Sequence, residues 1–359
     1  MLNIARVLYK IVVVTPDGTQ LDVTDVATAL GFSEGEKELA AEIQFKLAAS
    51  AEYNGKSVTE LVKPFTPVFV YADMGAGYEE VARGTVQKWS IVESNREFYL
   101  EVETADECQA LRHNEDDFFF FTDGHSSSSI LEEVLGKWGV PHEIQISDGT
   151  HAKKVYRKKY LCDMVADVLK DLKEKNGGVY FVRAKEGVVQ IIPRGTNETV
   201  WHFDLDDNLI KANDSYDVSK IVTRVQVVAK EKEEGHQKIE STIDGKTEYG
   251  TRQVIYTRGD KETLGEAETA AKKILDEQGD AKRKTTIESP DVPTLRKGDR
   301  IRIRSSMGIG FYFVKSIRHN AATQKMSMEL DYDKEYTESQ GGAAYAIAKT
   351  DESNSENPA

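Results

Sequence analysis

The chain has 359 residues, which at about 150 residues per domain predicts two or three domains. Acidic residues outnumber basic ones by 61 to 47, and the net charge of −14 argues against nucleic acid and anionic membranes as partners, because phosphate affinity comes from Lys and Arg. Only 39% of the residues are hydrophobic, and no apolar run approaches the roughly 20 residues of a membrane span.

The amino terminus and the cysteines indicate a protein of the reducing cytoplasm. Arg6 and Lys10 interrupt the first apolar stretch, and no small-residue cleavage site follows, so we expect no signal peptide. Two cysteines, Cys108 and Cys162, are too few for a disulfide framework or a zinc site. We expect both to be packed thiols.

The first stretch, up to residue 112, predicts short β-strands joined by turns. Phe98, Leu100 and Val102 alternate with polar residues, which is typical of a strand with one buried face. Closely spaced strands of this kind favour a barrel or a sandwich. The predicted strands and turns are Ile11–Val14, Leu21–Val23, Ile43–Leu47, Val68–Tyr71, Thr85–Ile91 and Phe98–Val102, with turns at Pro16–Thr19 and Asn54-Gly55.

The middle stretch, residues 113–200, predicts a small α/β module. Ser129–Glu132 forms a capping-box pattern in front of an apolar stripe that Gly139 ends. A second helix is predicted from near Arg157 to the glycines at 177 and 178. Val179–Arg183 and Val188–Ile192 then predict a hairpin.

The third stretch, residues 201–335, returns to β-structure. We predict a long strand at 221–228, an exposed polar loop or hairpin at 230–249, and a helix near 261–278 that is capped by Asp260. Strands resume at 301–303, 311–317 and 326–330. Residues 336–359 are rich in Gly, Ala, Ser, Asn and Glu, and we predict a disordered tail there, because so little apolar surface cannot offset the cost of ordering.

The two β-rich stretches resemble each other. Lys63–Pro67, a strand, the Gly-led segment Gly84–Ile91 and an alternating strand recur as Lys297–Arg300, a strand, Gly310–Ile317 and an alternating strand. An offset of roughly 230 residues indicates an internal duplication. Two similar barrels, repeated three times about an axis, would imitate a six-fold ring.

The order of these features resembles the baseplate hub protein of contractile phage tails, as found in PBSX-type defective prophages and R-type bacteriocins, and more remotely the late-control protein D family. No single motif is diagnostic. The segments that carry the resemblance are Ile11–Thr24, Val81–Val86, Ser129–Gly139, Lys220–Val227 and 295–332.

The resemblance implies a mainly β, α+β fold, with two tail-tube-like β-barrels at 1–112 and 201–335 and a small α/β module at 113–200 between them. It implies a homotrimer whose six barrels form a ring that joins the tail tube to the central spike. The partners it implies are the tail tube protein, the spike protein, baseplate wedge or LysM-bearing proteins and the tape-measure protein, in a virion or tailocin baseplate made in the bacterial cytoplasm.

Several side-chain groups invite a chemical role, and each has a plainer interpretation. Metal-competent side chains flank Phe118–Phe121, but Asp117 and Asp123 would lie some 20 Å apart on a strand, so we expect an acidic turn, a buried aromatic strand and an Asp-Gly turn. Asp116 and Asp117 point to opposite faces, which is wrong for a glycosidase pair. The metal-competent residues are His113, Glu115, Asp116, Asp117, Asp123 and His125.

The other motifs also have structural explanations. Ser126–Ser129 lacks the Gly-x-Ser-x-Gly pattern, so we expect a helix-capping loop rather than a nucleophile. Arg258–Asp260 spells an adhesion tripeptide, but Asp260 is expected to cap a helix. The basic run Lys153, Lys154, Arg157, Lys158 and Lys159 is expected to be a solvated helix-entry face, with an acidic partner as the alternative. Gly75, Gly77, Gly308 and Gly310 are expected in hairpins, and Trp89, Trp138 and Trp201 as core or interface anchors.

The sequence therefore favours a structural hub and not an enzyme, with no catalytic, cofactor or metal residues. The alternative is a tail-associated cell-wall-binding protein or peptidoglycan hydrolase, with residues 113–200 as its active module.

Overall fold

The structure is a computed structural model, and it describes residues 6–36, 38–230, 237–306, 308–333 and 345–347. Strands make up 48% and helices 18% of the described residues, which confirms a mainly β, α+β protein. Within these residues no helix is long and apolar enough to cross a membrane. The chain divides into two compact units, 1–212 with 286–359, and 213–285.

In the described residues, the first β-rich stretch contains nine strands, one short helix and a 3-10 turn at Thr24–Val26. Its buried faces alternate with period two, as the sequence predicts, for example at Ile43, Phe45 and Leu47. The elements are β1 Leu8–Val14, β2 Gln20–Asp22, β3 Ala27–Glu34, β4 Glu42–Ala48, β5 Glu52–Tyr53, β6 Lys56–Ser57, α1 Val58–Leu61, β7 Pro67–Asp73, β8 Tyr78–Glu93 and β9 Phe98–Ala105.

The α/β module has its own hydrophobic cluster, in which α3 and α4 pack their apolar faces against short strands. The predicted hairpin is confirmed as an antiparallel pair, β13 with β14. The elements are α2 Gln109–His113, β10 Glu115–Phe121, α3 Ser127–Lys137, β11 His142–Ile144, β12 Lys154–Tyr160, α4 Leu161–Asn176, β13 Tyr180–Lys185 and β14 Val188–Pro193.

Two helix starts in the module differ from the prediction. Ser126, not Ser129, caps α3, because its hydroxyl accepts the Ser129 N–H. The second helix begins at Leu161 and not near Arg157, because the basic run pairs as a strand with the aromatic strand β10. The predicted end at Gly177 is confirmed, since that residue has a φ of +74°.

The rest of the chain returns to strands, and its described residues include the long helix α5. Of these elements, β16 and β20 cross the boundary between the two units. The elements are β15 Val200–Asp204, β16 Lys211–Asp217, β17 Arg224–Val228, β18 Ile239–Asp244, β19 Gln253–Thr257, α5 Leu264–Gln278, β20 Lys282–Pro290, β21 Arg300–Ser305, β22 Gly308–Asn320, β23 Lys325–Tyr332 and β24 Tyr345–Ile347, with a 3-10 turn at Thr247–Tyr249.

The unit at 213–285 is a three-stranded sheet, β18-β17-β19, with α5 against one face. Asp260 is predicted to cap α5, but it does not. Thr263 caps it in a complete capping box with Glu266, and this pair satisfies two helix N–H donors reciprocally. The strand predicted at 221–228 is shorter, beginning at Arg224, and the polar stretch 230–249 contains β18.

The tail predicted at 336–359 lies outside the described residues except for β24. Residues 345–347 form a short strand that pairs in parallel with β15. The prediction of disorder is therefore wrong for these three residues.

One sheet contains both β-rich stretches, and no closed barrel is present in the described part of the chain. The sequence predicts two separate barrels. In the structure β3 pairs with β22, so the two stretches are joined in one sheet. A single hydrophobic cluster, including Phe45 and Phe203, extends through both.

Candidate assembly site

The two β-rich stretches repeat one strand order. We name the strands β1-β7-β8-β9-β4-β3 repeat A and the strands β15-β21-β22-β23-β20-β16 repeat B; each is given in the order of pairing. The meanders β7-β8-β9 and β21-β22-β23 are antiparallel in both. The repeats differ at the edge, where β1 pairs antiparallel with β7 while β15 pairs in parallel with β21. The predicted internal duplication is confirmed in strand order.

The repeats also share a bulge at the same place. In β8 the register against β9 shifts between Val86 and Lys88, and in β22 the register against β23 shifts between Val314 and Ser316. A bulge bends its strand and increases the local twist. A bend is therefore expected at the equivalent place in both meanders.

A four-residue turn before β7 and another before β21 repeat atom for atom. The Thr66 N–H donates to the Lys63 carbonyl (3.0 Å), and the Thr66 hydroxyl accepts the Lys63 N–H (2.9 Å). In repeat B the Asp299 N–H donates to the Arg296 carbonyl (3.2 Å), and the Asp299 carboxylate accepts the Arg296 N–H (2.9 Å). We name Lys63–Thr66 turn A and Arg296–Asp299 turn B. The sequence pattern predicts that Lys63 corresponds to Lys297, which is one residue out of register with the hydrogen bonds of the two turns.

The third residue of both turns has a positive φ, which is +68° at Phe65 and +92° at Gly298. Each turn is fixed to its meander through the bulged strand. Val86 exchanges two backbone hydrogen bonds with Phe65 and Thr66, and Val314 exchanges two with Gly298 and Asp299. The two turns therefore occupy equivalent places in the two repeats.

Repeat A and repeat B meet at a seam, which we define as Gly31–Glu34 of β3, Ile317–Asn320 of β22 and turn B. The two strand segments pair antiparallel. Glu34 receives the Arg296 guanidinium and, at 2.7 Å, the Lys297 N–H, and its side chain is only 7% exposed. This ion pair fixes the end of β3 to turn B.

The charge state of the seam follows from burial and pairing. Burial acts to raise the pKa of Glu34, but the Arg296 guanidinium and then Lys297 outweigh it, and the pKa falls from 4.5 to about 2. Asp106 lines the same cavity of about 40 Å³, and there burial raises the pKa to about 7. Glu34 is thus held ionised, while Asp106 is about half protonated at pH 7.

A second polar cluster at the seam is centred on His319, which lines the same cavity as Glu34. His319 of β22 places Nδ1 2.7 Å from Asp291 and Nε2 3.2 Å from the Leu295 carbonyl. Both ring nitrogens of His319 therefore face acceptor atoms. Asp291 also accepts the Tyr9 hydroxyl at 2.5 Å, and Phe32 of β3 stacks on the His319 ring at 4.2 Å.

The α/β module docks on turn B. Arg183 of β13 donates to Asp299 at 2.9 Å, and Arg296 donates to the Ala184 carbonyl at 2.7 Å. Phe181 lies against Gly298, where a Cβ would come within 3.0 Å of its ring. Gly298 is therefore required both by its φ and by the close approach of the module.

The acidic residues singled out in the sequence do not converge. Asp116 is buried and accepts bonds from Lys137 and Trp138, whereas the side chain of Asp117 is 93% exposed. The prediction of opposite faces is confirmed. Asp123 accepts the Lys153 N–H, and His125 bonds to Thr122 within its turn. Among the described residues no group of three or more His, Cys, Asp or Glu could hold a metal ion.

The serine loop contains a feature that the sequence did not indicate. The Ser127 hydroxyl lies 2.6 Å from His151 Nε2, and His151 Nδ1 lies 3.0 Å from Asp171. This is the order of contacts in a Ser-His-Asp triad. No sequence signal marks it, because the three residues are spread over 45 positions of loop and helix with no nucleophile-elbow pattern.

The surroundings of Ser127 argue for a structural role. Ser127 is 0% exposed, so a substrate has no route to the hydroxyl. Its own N–H donates to the Gly149 carbonyl, and the next two N–H groups donate to Asp148 and Ser126. An oxyanion hole needs such donors to be free and aimed at the reacting atom, and these are occupied.

The basic run lies on an exposed strand with aromatic neighbours. The Lys153 and Arg157 side chains lie over the rings of Phe120 and Phe118, while Lys154 pairs with Asp167 and Asp171. The run is largely exposed and precedes a helix, as predicted, but it forms a strand rather than the first turn of that helix. Phe118 and Phe120 alternate with buried Phe119 and Phe121, so only half of the predicted aromatic strand is buried.

The remaining motifs are structural in the described residues. Arg258 pairs with Glu240, and Asp260 with Lys230, so the adhesion tripeptide is engaged within the chain. Gly310 lies inside β22 rather than in a hairpin turn, while Gly75 and Gly77 are in the β7–β8 turn as predicted.

The three tryptophans are expected to be core or interface anchors, and the two cysteines are expected to be packed thiols. Trp201 is buried, Trp89 donates to the Val62 carbonyl, and Trp138 is 39% exposed and donates to Asp116. Cys108 is buried and Cys162 half-buried, and both are free thiols.

A family model described as YQBQ-like matches residues 75–333, which is more than half of the sequence. The chain belongs to the YQBQ-like family. The sequence matches no curated protein.

The fold is that of phage tail proteins. It is similar to the tail protein from Neisseria meningitidis MC58 (TM-score 0.62, 11% identity, covering 90% of this chain and 97% of that one) and to the 43 kDa tail protein of prophage MuSo2 from Shewanella oneidensis (TM-score 0.62, 12% identity, covering 90% and 98%). It is also similar to the E. coli c3393 protein, a type VI secretion component described as structurally similar to T4 tail proteins gp27 and gp5 (TM-score 0.51, 10% identity, covering 86% and 74%). The predicted resemblance to a baseplate protein of phage tails is confirmed, because the chain is structurally like prophage tail proteins and gp27-like hub components.

Proposed function

We propose that this chain is the structural baseplate hub of a contractile phage tail or tailocin. Three copies form a pseudo-hexameric ring that joins the tail tube to the central spike. The ring belongs to a virion or tailocin baseplate and is assembled in the bacterial cytoplasm. The supporting observation is the repeat of one six-strand order, one bulge and one turn in a single chain.

In this proposal residues 1–112 and 201–335 are the two tube-like domains, and 113–200 is a module fixed between them. A ring of three chains then contains six near-equivalent repeats. A trimer of such chains presents a nearly six-fold symmetric surface to a tube and a three-fold symmetric surface to a spike. A hub matches these two symmetries.

The open strand edges support closure between copies. When the two repeats are aligned on the shared bulge, Trp89–Val92 of β8 corresponds to Ile317–Asn320 of β22. The latter segment pairs with β3. In the described residues no ladder occupies that edge of β8, and β16 is an edge strand at the end of the sheet. We expect β16 of one copy to pair with β8 of the next, as β3 pairs with β22 within a copy, because exposed edges readily accept further strands.

The proposed partners are the tail tube protein, the central spike protein and baseplate wedge or LysM-bearing proteins, with the tape-measure protein inside the tube. We propose no enzymatic activity. The alternative of a peptidoglycan hydrolase would depend on the Ser127 cluster, which is closed to substrate.

Electron microscopy tests the proposal. The tagged chain is expressed in its prophage-bearing host, the prophage is induced, and particles that carry the tag are imaged. A three-fold ring at the end of a tube is expected. A chain that associates with no tube, together with clearing of purified cell wall by the full-length protein but not by its Ser127→Ala variant, would favour the alternative.

A further inference from the structure

Phe65 in turn A combines two unfavourable features. Its φ of +68° is in the left-handed region, which a bulky side chain rarely adopts. Its side chain is 77% exposed, the most exposed aromatic residue in the described part of the chain. Strained residues persist where the surroundings fix them, and they are concentrated at contact and functional sites.

The equivalent turn shows what this position does in repeat B. Turn B has Gly298 in place of Phe65, and the module covers it through Phe181, Arg183 and Ala184. Its first residue, Arg296, binds Glu34, the last residue of the neighbouring strand β3. Turn B is therefore a docking point for the adjoining repeat as well as for the module.

Turn A makes the same hydrogen bonds as turn B, but its Phe65 is exposed where Gly298 is covered by the module. Lys63 stands where Arg296 stands, with its Nζ 5.0 Å from the centre of the Trp89 ring. The strand of repeat B that corresponds to β3 is β16, and its last residue is also acidic, Asp217. Next to it on β16 is Tyr216, the second most exposed aromatic side chain in the described residues, at 64%.

We infer that turn A is the docking point for a second copy of this chain, with Lys63 paired with Asp217 of that copy and Phe65 packed against the end of its β16. The inference rests on the proposed ring and names its contact residues. Charge is complementary across this contact, because turn A carries a lysine and the end of β16 carries an aspartate. Rigid aromatic anchors of this kind carry much of the energy of protein interfaces.

Phe65→Gly is the decisive variant, because glycine suits a φ of +68° and keeps the fold intact. The monomer should unfold at the same denaturant concentration as wild type or at a higher one. Assembly into rings, measured by native mass spectrometry and by incorporation into induced tail particles, should weaken by about tenfold or more. Phe120→Ala, which removes a 46% exposed aromatic side chain from the module, is the matched control and should leave assembly unchanged.

A charge exchange adds a rescue. Lys63→Glu and Asp217→Lys should each reduce assembly, and the double variant should restore it. A photo-reactive benzoylphenylalanine at position 65 should cross-link to a peptide that contains β16 of another copy.

The outcomes separate the two proposals. Normal assembly of Phe65→Gly, or cross-links from position 65 to a different protein alone, overturns the docking inference and leaves the hub role in place. Wild-type protein that enters no ring, either alone or in tail particles, overturns the hub role itself. Loss of assembly in Phe65→Gly with unchanged folding, together with rescue by the charge exchange, establishes the contact.

Discussion

Replacing Glu34 with glutamine should loosen the seam between the two repeats. The carboxylate is almost fully buried and binds both Arg296 and the Lys297 N–H. Its pKa falls from 4.5 to about 2 in the folded protein, and a shift of that size corresponds to about 3 kcal/mol. Removing one partner of a buried ion pair costs about 3–5 kcal/mol, which agrees with this magnitude.

The pH dependence gives a second readout of the same residue. Because the folded pKa is lowered, the contribution of Glu34 is fully present above its unfolded value of 4.5 and is lost as pH falls towards about 2. Urea unfolding of Glu34→Gln at pH 7 should therefore show a loss of about 3 kcal/mol. Below pH 3 the gap between the variant and wild type should shrink.

Glu103→Gln is the matched control for this experiment. Glu103 pairs with Lys88 at 2.8 Å, but the two side chains are 36% and 62% exposed. An exposed pair contributes about 1 kcal/mol or less. If Glu34→Gln costs no more than Glu103→Gln, or if its cost does not change with pH, the reasoning about the seam is refuted.

Three further substitutions test other parts of the account. Asp106→Asn should stabilise the protein at pH 8 and have little effect at pH 3, because burial raises the pKa of Asp106 to about 7 and ionisation costs folding energy; equal urea midpoints at pH 8 would contradict this. Ser127→Ala should cost about 1–3 kcal/mol of stability by removing the hydroxyl that bonds to His151 Nε2, with no change in cell-wall turbidity; a turbidity loss specific to wild type would contradict the structural role. Thr263→Ala should cost about 1 kcal/mol by removing the cap of α5, and an unchanged helix signal in thermal circular dichroism would count against it.

Local patterns predicted most of the elements, because alternation and turn chemistry act over a few residues. The β13–β14 hairpin and the end of α4 at Gly177 follow from such signals. The predicted start of α4 is wrong, because a basic segment with aromatic neighbours is compatible with either a helix or a strand. Pairing with β10 makes this segment a strand. Likewise, Thr263 lies close enough to Asp260 for either to be chosen as a cap.

The seam could not be read from the sequence. Glu34 and Arg296 are 262 positions apart, and only the β3–β22 pairing brings them together. The repeat was visible as a pattern, but its register needed the hydrogen bonds of the two turns, which pair Lys63 with Arg296. The exposed strain at Phe65 has no sequence signature, because a positive φ at a bulky residue is set by the turn around it.

The most direct test of the central claim is a cryo-electron microscopy reconstruction of the induced tail tip at a resolution that separates strands. The account predicts three copies in which repeats A and B alternate around the axis, with β16 of each copy beside β8 of the next. A ring in which the two repeats do not alternate, or a tail tip without this chain, would contradict it.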